Sequence, residues 1–465
     1  MILARRWDLS GIPTVAIGCW IGSLVTSSTF WSVLIGIPAL ILIAAGCAIV
    51  LWRGDPRPSQ YQGLAGIWIA LLALPSAFYT GWGALLILAL ALTALAVSGW
   101  QGLRDMPRGP TAPYPEVSLA LCLKCGIDQA MLALFMLLPT LIAPEDADRI
   151  AAEAKAALEV FRKNGWDKDP ASFHKQPVAP ESVHFTPRKV RGYSFEQMRF
   201  TSGYTPHPEL PGGDRYAGFH ANREVSGTVF RHADKSRPWL VCVHGYGMGV
   251  PQIDFEAFNP QRLHHEQGYN LLMLTLPLHG VRKTSWLSGD RYMCGDLLDT
   301  FNAQAQATSD LRQGLAWVRQ QGDSDDAPEI RVIGFSLGGL NAAILAALDP
   351  EIEQVIAVVP LSDIANVFWH HSPSFLLQAY VDAGINKADA QTLFAPISPL
   401  QMPVVVPKEK RLIIAGRGDI IIPPNVVCDL WEHWDRPAIN WFNGSHMSCA
   451  AEKESNSVIR KALSQ

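Results

Sequence analysis

Ser336 lies in Gly334-Phe335-Ser336-Leu337-Gly338-Gly339, between an apolar run at 330–334 and an alanine-rich run at 337–348. A G-x-S-x-G segment set between a strand and a helix makes a sharp turn that pushes the serine oxygen into the open. Gly334 and Gly338 are small because that turn brings strand and helix backbones together. The helix N-terminus beneath it favours developing negative charge. The chemistry is nucleophilic attack on a carbonyl with a covalent acyl intermediate, and a serine hydroxyl needs a base for it. His446, in Asn443-Gly444-Ser445-His446 after a predicted strand at 438–442, is the candidate base. A histidine base needs a carboxylate to orient it. Asp419, in Gly416-Arg417-Gly418-Asp419 after a predicted strand at 411–415, is the candidate, with Asp363 after the strand at 354–359 as competitor. Asp419 is preferred because its strand adjoins the histidine's strand in sequence.

His244-Gly245-Tyr246-Gly247 follows a predicted strand at 239–243. Backbone N–H groups of Tyr246 or Gly247, with that of Leu337, are placed to bind the oxyanion of a tetrahedral intermediate. His244 itself holds the loop. The pairs His264-His265 and His370-His371 do not suggest a metal, because adjacent helical residues face apart and no HExxH is present. Cys122 and Cys125 form a lone CxxC without a second ligand pair, which is a structural feature. No metal or cofactor is expected.

These motifs need a frame. Strands are predicted at 195–202, 224–231, 239–243, 270–275, 330–334, 354–359, 411–415 and 438–442, and helices at 300–321, 337–348, 424–434 and 450–463. Such alternation argues for an α/β fold with a mainly parallel sheet covered by helices; the first two strands suit antiparallel edges. The motifs fall at the C-terminal ends of strands, where ligands bind in open α/β sheets. Residues 366–402 form a cap whose Phe368, Trp369, Phe375, Leu376 and Tyr380 either line an apolar acyl pocket or pack cap onto core.

The series HGYG, GFSLGG, GRGD and GSHM, in this order, resembles the α/β-hydrolase superfamily, and Pro277-Leu278-His279-Gly280 resembles a P-x-H-G turn found there. The resemblance covers about 193–465 and is nearest to bacterial esterase and acyl-peptidase-like members. It implies the fold, a Ser336–Asp419–His446 triad in the expected chain order and an acyl-enzyme route. It does not imply a substrate.

The N-terminal part is different. No charged residue lies between Leu9 and Trp52, or between Pro58 and Leu103. About 18 uncharged apolar residues suffice for a membrane span, so each stretch is long enough for a helical hairpin. The expected spans are 12–29, 31–51, 61–79 and 81–99, with Trp31, Trp52, Tyr61, Tyr79, Trp82 and Trp100 at headgroup level. Gly18 and Gly22 make a small-xxx-small pair that either lets the first two helices approach closely or simply belongs to a glycine-rich membrane segment. Arg5, Arg6, Arg53, Arg57, Arg104 and Arg108 fall on one side of four spans, and the opposite turns, 27–30 and 79–81, carry no charge. Positive loops stay in the cytoplasm, so the catalytic domain is expected there, on a bacterial inner membrane. Residues 117–142 are apolar enough for a fifth span, yet hold Lys124 and Asp128 one turn apart and end at Pro139. An interfacial or domain-packing helix fits that pattern better.

The expected organisation is a membrane region over 1–142, a helical linker over 143–192 and a catalytic domain over 193–465. A net charge of −4 gives no footing for nucleic acid, and eight scattered cysteines suggest free thiols. The leading reading is a membrane-anchored serine hydrolase acting on an ester, thioester or amide, with a hydrophobic or lipid-like acyl substrate and the bilayer as its partners. An acyltransferase with the same triad, or a catalytically silent membrane scaffold, are the alternatives.

Overall fold

A nine-stranded sheet with the order β1-β2-β3-β5-β4-β6-β7-β8-β9 frames the larger part of the chain. The computed structural model describes residues 7–25, 29–52, 55–80, 82–136, 143–322 and 327–464. Arg5, Arg6, Arg53, Gly81 and Pro139, used above for topology, lie outside the described residues, as do positions 26–28 of the first expected turn. The chain divides into two units. One comprises Met1–Leu138, Gly416–Asn425 and Phe442–Glu452; the other comprises Pro139–Ala415, Val426–Trp441 and Lys453–Gln465.

In the sheet unit the strands are β1 (His184–Val190), β2 (Tyr193–Thr201), β3 (Glu224–Phe230), β4 (Trp239–Val243), β5 (Asn270–Leu274), β6 (Ile330–Phe335), β7 (Gln354–Val358), β8 (Arg411–Gly416) and β9 (Ala438–Phe442). β1, β2, β3 and β5 pair antiparallel in succession; β5, β4, β6, β7 and β8 pair parallel. This is the expected mostly parallel α/β-hydrolase-like sheet. Every residue of β4, β5 and β8 is buried, as strands covered on both faces must be. β1 was not anticipated: it carries Pro187, its residues are largely exposed, and no buried alternation marks it.

The first unit holds α1 (Ile12–Leu24), α2 (Thr29–Leu51), α3 (Arg57–Thr80), α4 (Trp82–Asp105) and α5 (Leu119–Met136). Consecutive helices pack together, and α5 also packs on α3. Close approach rests on glycine. A Cβ at Gly99 would lie 1.9 Å from the Cys122 carbonyl oxygen, and one at Gly126 would lie 2.3 Å from that of Leu95, so α4 and α5 meet backbone to backbone. Gly18 is likewise tight, 2.8 Å from the Ala39 oxygen, but a Cβ at Gly22 would meet nothing. The expected Gly18–Gly22 pair is therefore only half used.

Among the described residues two helices are long and apolar enough to cross a membrane, Val33–Leu51 and Trp82–Asp105. Many large apolar side chains of these helices are exposed in the chain, including Leu40 at 65% and Trp82 at 88%.

The sheet unit's helices are α6 (Ala147–Asn164), α7 (Gly213–Ala217), α8 (Pro251–Phe258), α9 (Leu297–Arg319), α10 (Leu337–Leu348), α11 (Ile364–His371), α12 (Ser374–Asp382), α13 (Lys387–Leu393), α14 (Pro424–His433) and α15 (Lys453–Leu463). α10 is buried from Leu337 to Ala347, which its alanines and glycines allow. The expected cap segment holds most of α11 and all of α12 and α13. Leu376 and Tyr380 are buried in it, Phe375 is exposed, and Phe368, Trp369 and Tyr380 pack on one another.

Candidate active site

Ser336 occupies the turn from β6 to α10 with φ 56° and ψ −112°. A non-glycine residue at positive φ costs on the order of 1–3 kcal/mol and persists only where its surroundings impose it. Here they do. The Ser336 amide donates to the Val358 oxygen on β7 at 2.9 Å, and its own carbonyl accepts from Leu340 at 3.1 Å and Leu361 at 3.2 Å. The two glycines permit the turn: a Cβ at Gly334 would sit 2.0 Å from the Gly338 oxygen, and one at Gly338 would sit 1.9 Å from the Val243 oxygen.

The loop after β4 lies against this elbow. A Cβ at Gly245 would come 3.5 Å from the Ser336 Cβ, an ordinary van der Waals contact, so this loop borders the serine directly. Tyr246 and Gly247 follow directly, and Leu337 begins α10 beside the serine. His244 is buried and neutral: Nδ1 donates to the Gly245 oxygen at 2.8 Å, and Nε2 accepts from the Leu276 amide at 3.0 Å. Burial takes its pKa down to about 4, which suits a loop-holding residue and not a proton carrier. The Pro277–Gly280 turn supports the same loop, since a Cβ at Gly280 would lie 2.1 Å from the Gly249 oxygen.

Asp419 and His446 are brought together. The His446 Nδ1 donates to Asp419 Oδ2 at 2.7 Å, and Asp419 Oδ1 accepts from the amides of Ile421 at 3.1 Å and Ile422 at 2.7 Å. Asp419 is 1% exposed. The loops carrying the two residues are stitched by backbone bonds from Arg417 to Phe442 and from Gly418 to Gly444, both 2.9 Å. With Nδ1 donating, Nε2 keeps its lone pair, the tautomer a general base needs. Burial alone would lower the imidazole's pKa; the Asp419 carboxylate, with a smaller push from Asp128, outweighs it and the net direction is up. Asp363 is engaged elsewhere. It caps α11 through the Asn366 amide at 2.8 Å and accepts from Gln391 at 2.7 Å.

Comparison with known proteins places the chain among relatives. No family model matches it. Two Mycobacterium tuberculosis proteins, uncharacterized protein MT2702 and uncharacterized protein Rv2627c, are each 34% identical to it over 327 residues, covering 68% of this chain and 76% of their own length. The chain belongs to their family. Solved structures with a similar chain path include acetyl xylan esterase 1 from Thermoanaerobacterium, at 15% identity and a TM-score of 0.44 over 78% of this chain and 97% of that one. Another is an acetyl xylan esterase from Paenibacillus, at 17% identity and a TM-score of 0.44, over 72% of this chain and 98% of that one.

One residue of this family member's site is absent from the motif reading. Asp128, on α5, is fully buried beside His446. Its Oδ2 accepts from the His446 amide at 2.9 Å, and its Oδ1 accepts from the Met447 amide at 3.0 Å and the Ser445 hydroxyl at 2.9 Å. Burial first, then the Asp419 charge, push its carboxyl pKa up, against the pull of His446 and the two amides. Lys124, one turn before Asp128, pairs with Glu452 at 2.6 Å. The only sign of this in sequence is a pair of charged residues, Lys124 and Asp128, inside a largely apolar helix. Cys125 donates to the Gly418 oxygen at 3.2 Å, and burial holds its thiol protonated. The CxxC thus packs against the Asp419 loop.

Proposed function

We propose that this chain is a serine hydrolase, membrane-anchored through its N-terminal helices, that cleaves an ester, thioester or amide through Ser336, His446 and Asp419. The observation that carries the reading is the strained backbone of Ser336 at the β6–α10 turn. The His446–Asp419 bond and the loop from Gly245 to Gly247 support it.

In the proposed reaction the Ser336 Oγ attacks the substrate's carbonyl carbon while His446 Nε2 takes the hydroxyl proton. Asp419 stays ionised and stabilises the imidazolium. The tetrahedral oxyanion is bound by the amides of Leu337 and of Tyr246 or Gly247. Collapse breaks the bond to the alcohol, thiol or amine, which leaves with the proton from His446. Water, deprotonated by His446, then attacks the acyl-serine, releasing the acid and restoring the serine hydroxyl.

The anchor is proposed on the apolar side chains that α1, α2 and α4 leave exposed, among them Trp20, Leu40 and Trp82. Contiguous exposed apolar surface marks a membrane or partner interface, and the lack of charge from Leu9 to Trp52 favours the bilayer. A lipid-like or otherwise hydrophobic acyl substrate is the class such an anchor would meet, with the catalytic unit on the cytoplasmic side.

The full chain in detergent micelles, assayed on a panel of p-nitrophenyl esters of rising chain length plus thioester and anilide analogues, tests this. Turnover that favours longer acyl chains and vanishes in Ser336→Ala is expected. No turnover of any of the three bond types, or equal turnover by the variant, would reject the proposal.

A further inference from the structure

The histidine loop and the acid loop belong to the same compact unit as the N-terminal helices, and one helix touches both. From α5, Asp128 takes three hydrogen bonds from consecutive residues Ser445, His446 and Met447. Lys124 pairs with Glu452 at the loop's far end, and Glu452 accepts from Ser448 at 2.7 Å. Cys125 meets Gly418 of the acid loop. Just before α5, Glu116 and Asn443 exchange two bonds, amide to Oδ1 at 2.9 Å and Nδ2 to carbonyl at 3.0 Å.

We infer that Asp128 is a positioning residue for the proposed hydrolysis: α5 of the N-terminal helical region fixes the backbone of the histidine loop through this carboxylate, so that His446 and Asp419 stay aligned. The inference rests on the serine-hydrolase reading. Its physical case is the number and kind of donors. Two backbone amides and a hydroxyl converge on one fully buried carboxylate, and leaving such donors unpaired is costly. The backbone of the histidine itself is one of them. A loop histidine without this clamp would sample other orientations, and a misplacement of about 1 Å can cost on the order of 100-fold in rate. The helix is held against its neighbour by Gly99 and Gly126, so the clamp stands on a fixed support.

Other groups face the same place. Lys124 and Cys125 come from α5, Asp419 from the acid loop, and Cys449 and Glu452 from the histidine loop. Of these, Asp419 and Asp128 are the two carboxylates that act on His446.

The test is the rate at which a fluorophosphonate labels the full-length protein in micelles, measured from pH 5 to 9 in the native chain and in Asp128→Asn. The amide cannot accept from all three donors. Labelling should slow roughly 10- to 100-fold, with a midpoint moved to lower pH because one negative charge beside His446 is gone. Asp128→Glu, which keeps the charge, should keep the native midpoint and recover part of the rate. If Asp128→Asn does not fold, Ser445→Ala removes one donor with little change of volume and should slow labelling by a few-fold. Native rate and midpoint in Asp128→Asn, or an unchanged rate in Ser445→Ala, overturn the inference while the hydrolase reading stands. A native chain that takes no label overturns both.

Discussion

Asp128 accepts a hydrogen bond from the backbone amide of His446 while Asp419 accepts one from its side chain, so a single histidine is held by two carboxylates from distant parts of the sequence. The side-chain bond fixes the tautomer; the backbone bond fixes where the ring begins.

The choice of acid can be tested directly. Asp419→Asn should lower turnover by about four orders of magnitude, as loss of the orienting carboxylate does in other triads. Asp363→Asn should change turnover by no more than a few-fold, because asparagine also caps helices well and Asp363 bonds Asn366 and Gln391. Steady-state kinetics on the two variants separates them; a larger loss in Asp363→Asn would move the acid one strand earlier.

The pH profile follows from His446. Its folded pKa is raised, above the ordinary 6.5, by Asp419 against the opposing effect of burial. Activity needs the neutral imidazole, so it should rise with pH through a midpoint above 6.5. The linked stability has the opposite sense: it is fully present below the unfolded pKa and is lost as pH rises through the folded one. A rate profile with its acidic limb below 6.5 would contradict this.

Helix packing gives a paired prediction. Gly99→Ala places a methyl where the Cys122 oxygen already stands, and Gly22→Ala places one in open space. The first should cost about 1–3 kcal/mol; the second should be neutral or stabilising by up to about 1 kcal/mol. Thermal denaturation in micelles reads both, and equal shifts in Tm would show that α4 and α5 do not meet as described.

Topology is predicted from the arginines. A reporter fused at the C-terminus should behave as cytoplasmic, and one inserted near 79–81 should report from the other side. A C-terminal reporter active only outside the cytoplasm would make 117–142 a span and move the substrate to the envelope.

Much of the catalytic frame is legible in the sequence because its signals are local. The strands at 239–243 and 438–442 and the helix at 337–348 appear with the expected bounds, since the fully buried run at 239–243 and the alanine-rich helix announce themselves by composition. β1 does not, because an exposed edge strand with a proline has no apolar period to find. The role of Asp128 is invisible for another reason: its partners lie more than 300 positions away, and the intervening chain gives no hint of their meeting. Lys124 stands one turn before it, yet each residue reaches a different part of the histidine loop. Gly18 and Gly22 part company for a similar reason, since spacing shows which glycines share a helix face and not which face is covered.

The central claim is that Ser336 is the nucleophile, and the most direct measurement is the site of covalent modification. The native full-length chain is treated with a fluorophosphonate, digested, and the modified peptide located by mass spectrometry. The account predicts one adduct, on Ser336, absent from Ser336→Ala although that variant melts at the native temperature, and slowed in Asp419→Asn. An adduct on any other residue, or the same labelling in a folded Ser336→Ala, would contradict it.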